Sequence, residues 1–120
     1  MAKRSPKPAT ESCGCAPQPH PQPHPTHAAG VDQGLKQANL RQLARIEGQV
    51  RGIAAMIESD RYCADIITQV SAVRESLHSV ARNLMRNHLQ HCAARGLASP
   101  GETRGRMIDE LLDLVAKVAR

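Results

Sequence analysis

The chain has 120 residues, which is enough for one small folded domain. One Tyr and no Phe or Trp disfavour a small β-sandwich or β-barrel, since such folds depend on aromatic and β-branched residues. The 16 basic and 11 acidic side chains give a net charge of +5, which favours a polyanionic partner. No apolar run approaches the roughly 18 residues of a membrane span, and the charged start is not typical of a signal peptide. We therefore expect a cytoplasmic protein whose four cysteines are thiols or metal ligands.

Residues 1–34 are predicted to form a disordered tail, separate from a helical domain over residues 35–120. Seven of the eight prolines fall in this tail and deny its backbone helical angles and hydrogen-bond donors. The tail also holds thiol and imidazole groups that could capture a metal ion as an accessory site. These groups are Cys13, Cys15, His20, His24 and His27. A solvated tail that binds no metal is the alternative.

Residues 35–120 hold nearly all the apolar content and are predicted to be all-α, with three helices. The first helix runs from about Leu35 to Ile57, where apolar residues recur at spacings of three and four. Ser59 or Asp60 is expected to cap the second helix at its N-terminus.

The second helix meets no Pro or Gly until Gly96, so it should be about 35 residues long. A third helix begins at Pro100 and Glu102 and continues to the C-terminus. Because the connection between them is short, the second and third helices should be antiparallel neighbours.

The second helix carries an apolar row whose spacing alternates between three and four residues, as in a helical bundle. Its members are Val70, Val73, Leu77, Val80 and Leu84. A helix this long cannot be covered by its own small domain. We therefore expect a homodimer in which two such helices pack antiparallel around a two-fold axis near Ser76 or Leu77.

Three potential metal ligands lie on the same helix, with Cys63 near its start and His88 and Cys92 near its end. His88 and Cys92 are four residues apart, so their side chains share one helical face. Cys63 precedes His88 by 25 residues, which is roughly 37 Å along a continuous helix. In an antiparallel dimer, Cys63 of one protomer would face His88 and Cys92 of its partner.

Two thiolates and one imidazole form a soft, three-coordinate set that suits Cu(I). Structural Zn(II) would need a fourth ligand, and Ni(II) would need His27 or a backbone nitrogen in addition. We therefore predict Cu(I), with Ni(II) as the alternative. His78 and His91 have no such neighbours in the sequence and are expected to be surface residues.

The segments LRQLARIEGQVRGIAAMIESDRYCADIITQVSAVRESL and RNHLQHC resemble the copper-sensitive operon repressor (CsoR) family. That family also contains nickel or cobalt, formaldehyde and persulfide sensors. The run RIEGQVRGI marks the family, and the resemblance covers about residues 36–119. It implies a three-helix protomer that forms an antiparallel dimer and then a disc-shaped tetramer.

In the copper branch of this family, the set matched by Cys63, His88 and Cys92 is a Cu(I) site shared between protomers. Tyr62 and Glu110 match the pair that links metal occupancy to the third helix and to DNA affinity. The resemblance implies a repressor that releases operator DNA when Cu(I) binds and so derepresses copper efflux and homeostasis genes. A nickel-sensing branch shares the spacing and adds an N-terminal histidine, so a Ni(II)-responsive repressor is the alternative.

The predicted helical domain is basic, with 13 basic and 9 acidic side chains in residues 35–120. Nearly all of the basic ones are Arg, whose guanidinium binds phosphate oxygens in a fork. No helix-turn-helix or zinc-finger spacing is present, so we expect phosphate contacts and shape readout. The candidate DNA-binding residues are Arg41, Arg45, Arg74, Arg82 and Arg86.

Three other classes of protein could use some of these features. A metal-storage protein or chaperone would use the same ligands without DNA. A thiol or persulfide sensor would join Cys63 to Cys92 between protomers, although the persulfide branch lacks the intervening histidine. No nucleophile–base set or phosphate loop is present, so we do not expect an enzyme.

Overall fold

The computed structural model describes residues 27–120, which form helices with short connections and contain no strand. The helices are α1 (Gln33–Glu58), α2 (Cys63–Asn87), a π-helical segment (His88–Ala93), α3 (Ala94–Ala98) and α4 (Glu102–Ala119). Because α2, the π-helical segment and α3 follow one another without a break, they make one long helix. The predicted all-α fold with three helical rods is confirmed. Among the described residues, no helix is long and apolar enough to cross a membrane.

The ends of α1 are fixed by local hydrogen bonds. Asp32 caps its start, where the side chain accepts a hydrogen bond from the Leu35 N–H at 3.0 Å. Ser59 closes its end by donating from Oγ to the Ala55 carbonyl at 2.9 Å. Asp60 then adopts φ of 54°, a left-handed conformation that Asp tolerates and that ends the helix. The prediction that Ser59 or Asp60 caps α2 is therefore wrong, since both residues end α1.

The second helix begins at Cys63 and not at residue 60. Tyr62 is its N-cap and makes no side-chain capping bond, but its carbonyl accepts from the Asp65 N–H at 3.0 Å. Cys63 is therefore the first residue of the long helix, held at a fixed place by the turn before it.

The core lies between α1 and α2, which run antiparallel after the short turn. Ile46 of α1 is buried against Val73 and Val80 of α2, and Ile53 packs beside them. Each fully buried aliphatic side chain contributes roughly 1.5–3 kcal/mol. The buried aliphatic cluster of the described residues therefore lies between α1 and α2.

The apolar row on α2 divides into two sets. Val73 and Val80 are buried against α1, whereas Val70, Leu77 and Leu84 are 50%, 46% and 58% exposed. The exposed three recur every seven residues and so form a straight apolar stripe on a surface that one chain leaves uncovered. A stripe of this kind is suited to a second helix from another chain.

The last helix, α4, folds back along the end of the long helix. Gly96 makes this approach possible, because a Cβ at that position would lie 2.6 Å from the Met107 Cε. None of the residues of α4 is fully buried, and Ile108, Leu112 and Val115 are 43%, 66% and 57% exposed. The apolar face of α4 also lacks a cover within one chain.

Candidate metal centre

The three predicted ligands lie at the two ends of α2. Cys63 is exposed at its first residue, while His88 and Cys92 are half-buried in the π-helical segment that follows its last residue. Both cysteines are free thiols. Within residues 27–120, no group of three or more His, Cys, Asp or Glu side chains is arranged to hold one ion. One chain therefore brings His88 and Cys92 into the same short segment and leaves Cys63 a full helix length away.

The ligand pair His88 and Cys92 lies on a π-helical turn, whereas the sequence predicted an ordinary α-helix there. In a π-helix each N–H bonds to the carbonyl five residues back, so one turn takes about one residue more than an α-turn. Residues four apart therefore still lie close to one face, and the predicted pairing of His88 with Cys92 is kept. Such segments are frequently found at functional sites.

The His88 ring faces α4. Its Nε2 lies 3.4 Å from Oε1 of Glu110, with side-chain exposures of 20% and 28%. Nε2 is buried, and the contact is electrostatic without the alignment of a hydrogen bond. A carboxylate beside one imidazole nitrogen favours the proton there and leaves the other nitrogen as a ligand. The arrangement of His88 therefore fits metal binding through Nδ1, with Glu110 behind the ring.

Tyr62 and Glu110, the pair that the family resemblance associates with the metal site, are not together in one chain. Tyr62 is 74% exposed at the Cys63 end of α2, whereas Glu110 lies at the His88 end. Tyr62 and Glu110 are thus separated by the length of α2, as Cys63 is from His88 and Cys92.

Comparison with known proteins places the chain in a family. Residues 35–117 match the sequence model for metal-sensitive transcriptional repressors. The chain belongs to that family. It is therefore a metal-responsive regulator of transcription and not an enzyme, as the sequence predicted.

Two curated relatives of this repressor are copper sensors. It is 48% identical over 95 residues to the copper-sensing transcriptional repressor RicR of Mycobacterium tuberculosis. That alignment covers 79% of this chain and 98% of RicR. It is also 48% identical over 80 residues to the copper-sensing transcriptional repressor CsoR of Bacillus subtilis, covering 66% and 76% of the two chains.

Two solved structures share the fold of the repressor. The copper-sensing repressor CsoR with Cu(I) from Geobacillus thermodenitrificans superposes with a TM-score of 0.64 at 34% identity, over 79% of this chain and 99% of that one. The nickel-responsive regulator InrS superposes with a TM-score of 0.56 at 29% identity, over 78% and 98%. The fold alone is therefore compatible with sensors of either metal.

The arginines proposed for DNA contact are all exposed in the repressor. Arg41 and Arg45 lie on α1, and Arg74, Arg82 and Arg86 lie on α2. The Arg45 guanidinium donates to Gln42 Oε1 at 2.6 Å, which orients it along α1. The structure thus leaves these side chains open to solvent, where phosphate could reach them.

The candidate accessory ligands fall mostly outside the described residues, which include His27 but not Cys13, Cys15, His20 or His24. His27 is exposed. His91, expected to be a surface residue, is half-buried with its ring against Gly30, and the half-buried His78 is also less exposed than expected.

Sequence reasoning missed three asparagines that join α2 to α1 and to the residues just before it. The buried Asn39 accepts a hydrogen bond from Asn83 Nδ2 at 3.0 Å. Asn87 donates to the Gly30 carbonyl at 3.0 Å and accepts from the Asp32 N–H at 2.9 Å. The spacing of four between Asn83 and Asn87, on the face of α2 that carries Val73 and Val80, was a signal that could have found them.

Proposed function

We propose that this repressor senses Cu(I) in the cytoplasm. In the metal-free state a homo-oligomer of the chain binds operator DNA. Cu(I) then binds to Cys63 of one protomer and to His88 and Cys92 of its partner, and the oligomer releases the DNA. The genes that this release derepresses are those of copper efflux and homeostasis.

The observation that carries the proposal is the unbroken helix between the ligands. Cys63 begins α2, and His88 follows its last residue, so the two are separated by roughly 37 Å at 1.5 Å per residue. The exposed stripe of Val70, Leu77 and Leu84 lies between them. An antiparallel second copy packed on that stripe would cover it and would bring each Cys63 to the opposite ligand pair. The assembly of such dimers into a tetramer belongs to the same proposal.

The donor set favours Cu(I) over Ni(II). Two thiolates and one imidazole are soft ligands, and Cu(I) accepts low coordination numbers. Ni(II) would need a further nitrogen, for which His27 is the candidate. The copper-sensing relatives at 48% identity also support copper.

Glu110 connects the site to α4. When His88 Nδ1 is engaged as a ligand, its ring becomes more polarised and its Nε2–H a better donor to the Glu110 carboxylate. A tighter His88–Glu110 contact would draw α4 toward the ligand segment. In the partner-completed site, Tyr62 would lie on the same side and shape this contact.

The DNA interface is proposed to consist of the exposed arginines on α1 and α2. Arg41 and Arg45 are four residues apart and can follow one phosphate backbone from a single face. Such binding depends strongly on salt, because each neutralised phosphate releases counterions. Coupling of about 3 kcal/mol would weaken DNA binding roughly 150-fold when the metal site fills.

Residues 30–34, which the sequence assigned to the tail, contact the helical domain, where Asp32 caps α1 and the Gly30 carbonyl accepts a hydrogen bond from Asn87. The proposed accessory metal-capturing arm is therefore the part of the tail up to His27. Cys13 and Cys15 with His20, His24 and His27 supply its ligands. His27 lies three residues from Gly30, which contacts His91, so its Cα is within roughly 11 Å of the Gly30 Cα. His27 therefore lies near the segment that carries His88 and Cys92.

The first test is an anaerobic titration of the reduced protein on a labelled fragment of its own upstream DNA, followed by fluorescence anisotropy. Cu(I) and Ni(II) are added separately, in a background where Cys13 and Cys15 are replaced by Ser. We expect release at one Cu(I) per protomer and no release from Cys63→Ala. Release by Ni(II) alone would contradict the copper proposal and assign His27 to the site.

Mixed oligomers test whether the site is shared between protomers. Cys63→Ala and Cys92→Ala chains each lack a complete site as homodimers. A heterodimer of the two regains one intact site if the ligands come from different chains, and none if they come from one. Random mixing makes about half of the dimers mixed, and each mixed dimer has one intact site, so recovery of about one quarter of the wild-type Cu(I) stoichiometry is expected. No recovery after refolding the chains together would refute the shared site, and release by an oxidant or sulfane sulfur alone would indicate a thiol sensor.

A further inference from the structure

The side chain of Asn87 clasps the segment that precedes α1. Its Nδ2 donates to the Gly30 carbonyl at 3.0 Å, and its Oδ1 accepts from the Asp32 N–H at 2.9 Å. Both ends of the amide are therefore used on the backbone of one short strap, residues 30–32. Asp32 is also the N-cap of α1, bonded to the Leu35 N–H. Asn87 thus holds the residue that starts α1.

Asn87 is also the last residue before the ligand segment. His88 follows it directly, and Cys92 lies five residues beyond it. His91, on the same π-helical segment, also lies against the strap, with its Nδ1 2.9 Å from where a Cβ of Gly30 would lie. Asn87 and His91, each of which directly precedes a predicted ligand, therefore contact the residues just before α1.

The clasped helix is the one that carries Arg41 and Arg45. Asp32 precedes Arg41 by nine residues, which is about 13 Å along α1. A change in how Asp32 is held therefore acts on the helix whose first half carries these two arginines. This path is separate from the His88–Glu110 contact, which leads to α4.

We propose that Asn87 is a positioning residue that couples the metal site to α1, through a latch formed by Asn87, His91 and the strap of residues 30–32. The inference rests on the proposed function. The latch is closed when the protein binds DNA. Ligation by His88 and Cys92 fixes the π-helical turn, draws Asn87 off the strap and releases the start of α1. A ligand can shift this equilibrium only through such a difference between two states.

Linkage gives the proposal a signature that simple structural damage does not have. If metal binding must open the latch, a chain without the latch binds DNA more weakly when metal-free but equally when loaded. The same chain binds Cu(I) more tightly in the absence of DNA, because no latch has to open. A merely structural role for Asn87 would weaken DNA binding in both states alike and would not tighten Cu(I) binding.

The test compares Asn87→Ala with wild type in the full chain, with Cys13 and Cys15 replaced by Ser in both. DNA affinity is measured with and without Cu(I) by anisotropy, and Cu(I) affinity by competition with a chromogenic chelator. We expect the ratio of loaded to metal-free DNA dissociation constants to fall about tenfold, and Cu(I) binding to tighten about fivefold. An unchanged ratio in Asn87→Ala overturns the latch. Failure of the wild type to release DNA overturns the proposed function itself.

Asn83→Ala is the matched control, since it removes the Asn83–Asn39 hydrogen bond between the same two helices, one turn away from the latch. It should lower the melting temperature and leave the ratio intact. A ratio that falls equally in both variants would assign the effect to loosened α1–α2 packing and refute the latch.

Hydrogen exchange of the Asp32 amide gives a readout that does not depend on DNA. In the wild type this amide is bonded to Asn87 and should exchange slowly without metal and at least about tenfold faster with Cu(I). In Asn87→Ala it should exchange fast in both states. Protection that Cu(I) does not change in the wild type contradicts the latch.

Discussion

The two ends of the long helix differ in how they are held. The Cys63 end is ordinary α-helix and is exposed. At this end the Tyr62 carbonyl accepts backbone hydrogen bonds from the Asp65 and Ile66 N–H groups, and Tyr62 makes no side-chain capping bond. The His88–Cys92 end is π-helical and half-buried, and it contacts both α4 through Glu110 and the start of α1 through Asn87. In the proposed dimer, the first end would present a lone thiol to the partner, and the second would connect the proposed ligands His88 and Cys92 to the rest of the fold.

This difference suggests a division of roles within one shared site. An exposed thiol can be supplied by a partner without moving the donor chain, because little packs against it. The half-buried pair lies in a segment that contacts Glu110 of α4 through His88 and residues 30–32 through Asn87 and His91, so a change in its geometry disturbs those contacts. Metal arrival would therefore be transmitted from the His88–Cys92 end of each protomer, and Cys63 would act mainly to complete the ligand set.

Disrupting the apolar stripe should have the largest effect, because it would separate the protomers and keep Cys63 of one chain away from His88 and Cys92 of the other. Leu77 lies at the centre of the stripe and is 46% exposed in one chain. Leu77→Glu is expected to place a charge in the dimer interface, to yield monomers in sedimentation velocity, and to abolish both Cu(I) binding at the shared site and DNA binding.

The matched control for that variant is Gln69→Glu, which adds the same charge at an exposed polar position of α2. It should remain oligomeric. A Leu77→Glu chain that stays dimeric would show that the stripe is not the interface, and the site would then need a different partner geometry.

The apolar periodicity of the sequence predicted the fold well, since the three helices that it indicated are present in the structure. The helix boundaries of α1 and α4 fall within about two residues of the predictions, and the long second helix is unbroken. The start of α2 was predicted wrongly because Ser59 and Asp60 can either cap a following helix or end a preceding one. Side-chain type alone does not distinguish these two roles.

The candidate site was predictable only in part. Ligand identity and spacing pointed to Cys63, His88 and Cys92, and these assignments stay predictions until metal binding is measured. The π-helical turn has no sequence marker here, since no Gly or Pro interrupts residues 88–93. The contact of His91 and Asn87 with the strap is also a tertiary feature between residues more than fifty positions apart. The spacing of Asn83 and Asn87 indicates a polar row on the α1-facing side of α2, but it does not identify their partners.

The contact between His88 and Glu110 can be removed by a substitution that leaves all three predicted ligands in place. Glu110→Ala should leave Cu(I) bound at one per protomer, with affinity lowered at most about tenfold, since it stands behind a ligand. Cu(I)-induced release of DNA should fall about tenfold, because the link from His88 to α4 is lost. Anisotropy with and without Cu(I) measures the change.

Glu110→Gln separates charge from shape in the same experiment. The amide oxygen can still accept from His88 Nε2–H, so this variant should retain an intermediate response. Full release from the Glu110→Ala chain would remove α4 from the coupling path and leave the start of α1 as the route.

The smallest expected effect comes from a single methyl group added at Gly30, where the strap before α1 contacts His91. In Gly30→Ala the new Cβ would lie 2.9 Å from His91 Nδ1, so the strap or the ring must shift. We expect a cost of about 1 kcal/mol, or roughly fivefold weaker DNA binding by the metal-free protein. Gly105→Ala on α4, where an added Cβ meets nothing within 4 Å, should leave DNA affinity unchanged.

Adding His91→Ala to Gly30→Ala removes the ring that the methyl group strikes and should restore most of the lost affinity. If the double variant binds DNA no better than Gly30→Ala alone, the effect lies in the backbone of the strap and not in its contact with the ligand segment.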